Sequence, residues 1–173
     1  MERFLDAIPP DGKSCHMIAP RFVVKRKWLL EQELLFYPGI YHEDEEWTQR
    51  LLCRGQGIYV TDIPFYCYRR GRGGAITNRV GPKHIRDLTV ILERSSQLLT
   101  RYAQDPVRSS YLRNRMGQLY FAVMLNLFVL PPDHRKAMLA VLRAEKPVCL
   151  PVLPGWKGRI AQLAVRVLGL PFA

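Results

Sequence analysis

Four consecutive carboxylates, Glu43, Asp44, Glu45 and Glu46, stand just after a Pro38-Gly39 turn and directly ahead of a helical pattern. Negative charge is favoured there, because the first peptide N–H groups of a helix point outward without backbone partners. A carboxylate held at such an end and aimed at an alcohol takes its proton as a general base. The second chemically loaded stretch carries Arg69, Arg70 and Arg72 among Gly71, Gly73 and Gly74. Guanidiniums on a backbone that approaches a ligand closely suit phosphate oxygens. Each feature also has a plainer reading, as a solvated helix start complementing the dipole and as an exposed basic turn. His42 and His84 are lone histidines, each able in principle to ligate a metal, and neither is assigned that role.

The elements that must position these groups follow from periodicity. Met17 to Val24 mixes β-branched and apolar residues and predicts a strand, and Lys25 to Glu33 predicts a helix with Trp28 and Leu29 inward. From Glu45 to Arg54, Trp47, Leu51 and Leu52 share one helical face, which Gly55 and Gly57 terminate. Residues 58–60 and Phe65 to Arg69 predict two short strands, with Pro64 confining the second to a sheet edge or a first position. Beyond Pro82 the pattern is helical over 82–103, 107–129, 133–145 and 156–169, interrupted at Asp105-Pro106, Pro131-Pro132 and Pro147 to Pro154. Two regions result, 1–81 with the acidic motif and 82–173 as a helical bundle.

The 173 residues carry 48% hydrophobic and 10% aromatic side chains, enough for one core, and a net charge of +11. Residues 1–83 hold 13 basic and 10 acidic side chains, whereas 84–173 hold 13 and 5. The basic excess therefore lies in the second half and predicts attraction to phosphate, whether in nucleic acid, a sugar nucleotide or an anionic lipid. Cys15, Cys53, Cys67 and Cys149 have neither disulfide-framework nor zinc spacing, so reduced thiols are expected. The most apolar run, Leu119 to Leu130, is too short to span a bilayer. A cytoplasmic protein, peripheral at most to the inner face of a membrane, is expected.

The ordered motifs Phe36-x-x-Gly39-x-x-x-Glu43-Asp44-x-x-Trp47, then Asp62-x-Pro64-x-Tyr66-x-Tyr68-Arg69, then Gly74-Ala75-Ile76-Thr77 resemble the C-terminal part of family 2 glycosyltransferases. These are inverting bacterial enzymes of the GT-A fold that build surface polysaccharides. The resemblance covers Ala19 to Asp87, and it departs from the family at Ala75, where Ser is usual, and in a loop one residue longer. It implies an α/β fragment, predominantly helical, in which a few short strands and the acidic-motif helix precede a helical bundle. It further implies that Asp44 is the base, with Glu43 beside it, that Arg69 and Arg72 face the departing diphosphate, and that Tyr68 and Trp47 contact substrate. As bare residues, Trp47 and Trp28 are first of all core candidates.

The family's nucleotide-binding half, with its Asp-x-Asp motif, has no counterpart here, and residues 1–18 are too few for a βαβ unit. The divalent metal, Mg or Mn, that the resemblance implies would have its main ligands in that half, and none in this chain. A fragment, a truncated frame or one chain of a split enzyme, inactive alone, is expected, with nucleotide-sugar donor and sugar acceptor as partners of the complete enzyme. Two other classes compete: a small basic helical protein binding nucleic acid or protein, and a decayed transferase remnant. Tyr102, Tyr111, Tyr120 and Phe121 follow helical spacing rather than forming a stacking platform, which disfavours nucleic acid. Finally, Ile160, Leu163, Ala164 and Val167 share one face of the 156–169 helix with basic residues elsewhere, as in an interfacial membrane helix or a helix packed on 107–129.

Overall fold

The computed structural model describes residues 18–57, 59, 63–67, 69, 80–144, 163, 166 and 167. Proline and glycine set the helix boundaries. After a single 3-10 turn at Ala19–Arg21 come α1 (Arg26–Glu31), α2 (Glu43–Arg54), α3 (Pro82–Arg101), α4 (Pro106–Val129) and α5 (Pro132–Ala144). Proline occupies the first helical position of α3, α4 and α5, where its missing N–H costs nothing and its fixed φ is already helical. Asp105 caps α4 by accepting from the Arg108 N–H at 2.9 Å, and Gly55 closes α2 by donating to the Leu51 carbonyl at 2.9 Å. Arg135 neutralises the end of α4, donating to the carbonyls of Leu127 at 3.1 Å, Phe128 at 3.0 Å and Leu130 at 2.9 Å.

The main core is an antiparallel pairing of α3 and α4. Ile85, Leu88, Ile91, Leu92 and Leu99 of α3 recur at helical spacing and meet Leu112, Met116, Leu119, Tyr120, Val123 and Leu127 of α4. Leu52 and Cys53 enter from α2, and Met138 and Leu142 from α5, so the core runs across the 81/82 boundary. A second cluster of Leu34, Trp47 and Leu51, flanked by Phe22, Val24, Trp28 and Leu29, seats the N-terminal segment on α2. Leu112 is 0% exposed at the centre of the main core. Leu112→Ala is expected to cost about 2–5 kcal/mol, as a cavity that neighbouring helices fill only partly; denaturant titration measures it.

Among the described residues there is no strand, which corrects the expected short strands. Around Ala19–Arg21, Pro20 favours a 3-10 turn, whose hydrogen bonds are local: Arg21 N–H to the Ile18 carbonyl and Phe22 N–H to the Ala19 carbonyl, both at 3.0 Å. Phe22 and Val24 bury themselves against Trp47 without any ladder. Phe65 to Cys67 and Arg69 are exposed and non-strand. Ile58, Val60 and Tyr68 lie outside the described residues. The helices expected over 82–103, 107–129 and 133–145 are present within two residues at each end. Of the 156–169 helix only Leu163, Arg166 and Val167 are described; they are helical, and all three are exposed.

Candidate functional site

The acidic motif sits at the start of α2, where a turn is bent twice through the left-handed region. Gly39 has φ +82°, which glycine adopts without a steric cost, and His42, the residue capping α2, has φ 62° and ψ 33°. Helix α3 clamps this turn. The Tyr41 N–H donates to Asp87 Oδ2 at 2.7 Å, and Lys83 Nζ donates to Asp87 Oδ2 at 2.6 Å and to the Gly39 carbonyl at 2.7 Å. Lys83 also lies 4.5 Å above the Tyr41 ring, whose other neighbour is His84, with ring centroids 4.7 Å apart. His42 faces His84 at 5.8 Å, and its Nε2 is buried without a hydrogen-bond partner among the described residues. Burial first, then the nearby His84, lowers the proton affinity of His42.

The four carboxylates have separate fates. Glu46 is 4% exposed and is held by two arginines: Arg50 Nε at 2.8 Å and Nη2 at 2.7 Å, and Arg94 Nε at 2.8 Å. Glu45 accepts from Arg115 of α4, seventy positions on, through Nε at 3.0 Å and through Nη2. Glu43 is exposed. Asp44 is half-buried; its Oδ1 accepts from the Glu45 N–H at 2.9 Å, and no described cation pairs with it. Burial raises the Asp44 pKa above the ordinary aspartate value, and the charges of Glu43 and Glu45 push the same way, against the lowering effect of the Glu45 N–H.

This arrangement separates structure from available chemistry within one run of like residues. Two carboxylates are consumed by interhelical ion pairs that tie α2 to α3 and α4, while the one between Glu43 and Glu45 accepts one backbone N–H, has no described cation partner and has an enhanced affinity for protons. Glu45→Gln removes a neighbouring negative charge and is therefore expected to lower the Asp44 pKa, which a carbon-13 carboxyl titration by NMR detects. An unmoved or increased value would contradict the electrostatic account.

Of the residues expected at the site, Asp44 and Glu43 share the first turn of α2. Trp47, expected as a substrate contact by resemblance and as a core residue by type, belongs to the core. It is 6% exposed, its indole N–H donates to the Leu34 carbonyl at 2.9 Å, and its ring packs against Phe22 at 6.2 Å and Phe36 at 5.1 Å. Its one polar atom is spent on the fold. Arg69 is exposed, and no described contact joins it to Asp44 or Glu43. Arg72 and Tyr68 lie outside the described residues. Sequence reasoning missed Arg115, Arg94, Lys83 and Asp87, and it named His42 and His84 without bringing them face to face. Only Lys83 and Asp87 left a local signal, an i, i+4 pair of opposite charge.

Among the described residues no group of three or more His, Cys, Asp or Glu side chains could hold a metal ion. Comparison with family models, with curated proteins and with solved structures gives no match.

Proposed function

We propose that this chain is the acceptor-side portion of an inverting sugar transferase, in which Asp44 takes the proton from the attacking hydroxyl. One observation carries the reading. Asp44 alone in the acidic run combines partial burial, a raised proton affinity and the absence of a described cation partner, while Glu45 and Glu46 are engaged in ion pairs. A general base works best when its proton affinity moves toward the working pH, and partial burial next to like charges moves a carboxylate in that direction.

Inversion at an anomeric carbon requires the hydroxyl to arrive on the face opposite the leaving diphosphate. Asp44 belongs on the arrival side, within hydrogen-bond reach of the hydroxyl. The exposed Glu43 adds negative potential beside it and stays clear of the nucleophile. On the departure side, Arg69 and Arg72 are the cations assigned to the growing phosphate charge. The sequence contains no Asp-x-Asp motif, so the donor nucleotide is assigned to a segment or chain that supplies one. The donor is a nucleotide-sugar and the acceptor a hydroxyl of a saccharide or a lipid-linked saccharide. The site of action is the cytoplasmic side of a membrane; no described helix is long and apolar enough to cross one.

The test joins the chain to a nucleotide-binding domain that carries an Asp-x-Asp motif and measures sugar transfer by the parent and by Asp44→Asn. Loss of transfer with donor binding retained supports the reading. Transfer that survives the substitution, or donor binding lost with it, removes Asp44 from the role of base.

A further inference from the structure

The pairing that fixes Glu46 leaves positive charge unanswered. Glu46 supplies one negative charge to two guanidiniums, meeting Arg50 through Nε and Nη2 and Arg94 through Nε. All three residues line a cavity of about 180 Å³ between α2 and α3, and Arg101, the last residue of α3, lines it too. Glu46 is the one carboxylate of that lining, against three arginines, which leaves a surplus of two positive charges. Neighbouring carboxylates do not cancel it. Glu45 is paired with Arg115, and Glu93 of α3 is exposed and does not line the cavity.

The arginines also keep donors in reserve. Arg94 spends Nε on Glu46 and lies 4.2 Å from the centroid of the Tyr37 ring, while its two Nη groups have no described acceptor. Arg50 Nη2 is divided between Glu46 and the Leu35 carbonyl at 2.6 Å, and its Nη1 has no described acceptor. Arg101 has no described carboxylate or hydrogen-bond acceptor; its described contact is the ring of Tyr102, 6.0 Å away. Planar guanidinium forks match the oxygens of phosphate in pairs. Size and charge narrow the ligand. Pockets for drug-sized molecules run to about 300–1,000 Å³, so this cavity is too small for a nucleotide. At about 30 Å³ per water it holds roughly six waters, room for one tetrahedral anion. A phosphate carrying about two negative charges near neutral pH cancels the surplus, where a carboxylate cancels half of it.

We infer that the cavity lined by Arg50, Arg94 and Arg101 is a binding site for a phosphate dianion, either the free ion or the end of a small phosphomonoester. Glu46 holds two of the guanidiniums in place, and Arg101 supplies the third from the end of α3. The site is independent of the sugar-transfer reading, since no residue assigned to that reaction lines the cavity.

Calorimetric titration of the full chain with inorganic phosphate tests it, at neutral pH and with ionic strength held constant by sodium chloride. Saturable one-to-one binding is expected, together with a thermal unfolding midpoint that rises with phosphate and not with the matching chloride. Arg101→Gln removes no described hydrogen bond, so it should fold as the parent does; it should weaken phosphate binding about tenfold, the loss of one charge-assisted contact. Arg94→Lys keeps the charge and loses the fork, and should also weaken it. Lys136→Gln removes the same charge from an exposed position on α5 outside the cavity and should leave binding unchanged. Displacement of phosphate by glycerol 3-phosphate would name a phosphomonoester as the ligand, and failure to displace it the free ion; both keep the site. The inference is overturned if the parent shows no saturable binding at millimolar phosphate, or if Arg101→Gln binds as the parent does, which would leave Arg101 only a complement to the α3 dipole. It is equally overturned if Lys136→Gln weakens binding as much as Arg101→Gln, because net charge would then be the attraction.

Discussion

Glu46→Ala should be the most destabilising change in the acidic run, lowering the unfolding free energy by about 2–4 kcal/mol. The reason is the state it leaves behind. Glu46 is 4% exposed and neutralises Arg50 and Arg94, whose side chains are 14% and 34% exposed. Removing the carboxylate strands two guanidiniums, one of them well desolvated, and breaking a buried pair from one side typically costs about 3–5 kcal/mol. Partial access of water to Arg94 places this case toward the lower end. For a chain of this size the midpoint of thermal unfolding should fall by roughly 5–15 °C. A shift of less than a degree would mean that the pairs joining α2 to α3 contribute nothing, and that the first turn of α2 is held by other contacts.

Asp44→Asn should have the opposite profile, a severe loss of turnover with no loss of stability. The asparagine keeps an oxygen that accepts from the Glu45 N–H, so the local hydrogen bond survives. The folded pKa of Asp44 lies above its ordinary value, so folding favours the protonated form. The stability this group contributes is therefore present below the ordinary carboxylate pKa and is lost as pH rises through the raised value. At neutral pH the charged Asp44 opposes folding, and the neutral amide relieves that opposition, offset by a weaker interaction with the α2 dipole. The chemical step, by contrast, loses its proton acceptor, which general-base catalysis values at about 10²–10⁴-fold. In the joined enzyme, turnover should drop at least a hundredfold with the donor KM little changed. Equal falls in stability and turnover would show that Asp44, like Glu46, is a structural carboxylate.

Adjacent residues of the same type thus do different work, and sequence alone could not assign the shares. The partners that decide the matter, Arg94 and Arg115, lie 48 and 70 positions away from Glu46 and Glu45, and no local pattern announces an interhelical ion pair. Helices α3, α4 and α5 were legible because two signals agree: apolar residues at spacings of three and four, and a proline where each helix begins. The N-terminal segment misled for a physical reason. Phe22 and Val24 have the residue types of a strand, but a strand exists through its neighbours. Here those side chains satisfy their hydrophobicity against Trp47 and leave the backbone in a short turn followed by extended chain. Trp47 was ambiguous in the same way. An indole serves a core or a sugar equally well, and the Leu34 carbonyl that fixes its N–H is thirteen positions away.

The left-handed His42 was also not legible, since histidine, although enriched at positive φ among non-glycine residues, adopts it only in a small minority of cases. That conformation ends the turn and starts α2 in one residue, which sets the direction in which Glu43 and Asp44 leave the backbone. The clamp from Lys83 and Asp87 then holds the turn to α3, so the acidic motif is presented by a braced helix start.

The most direct test of the central claim is a carbon-13 carboxyl titration of Asp44 in the unmodified chain. The account predicts a midpoint above the ordinary aspartate value, moving downward in Glu45→Gln. A midpoint at or below that ordinary value would mean that the Asp44 carboxylate is stabilised by a partner like those of its neighbours, and the assignment of Asp44 as the proton acceptor would fall.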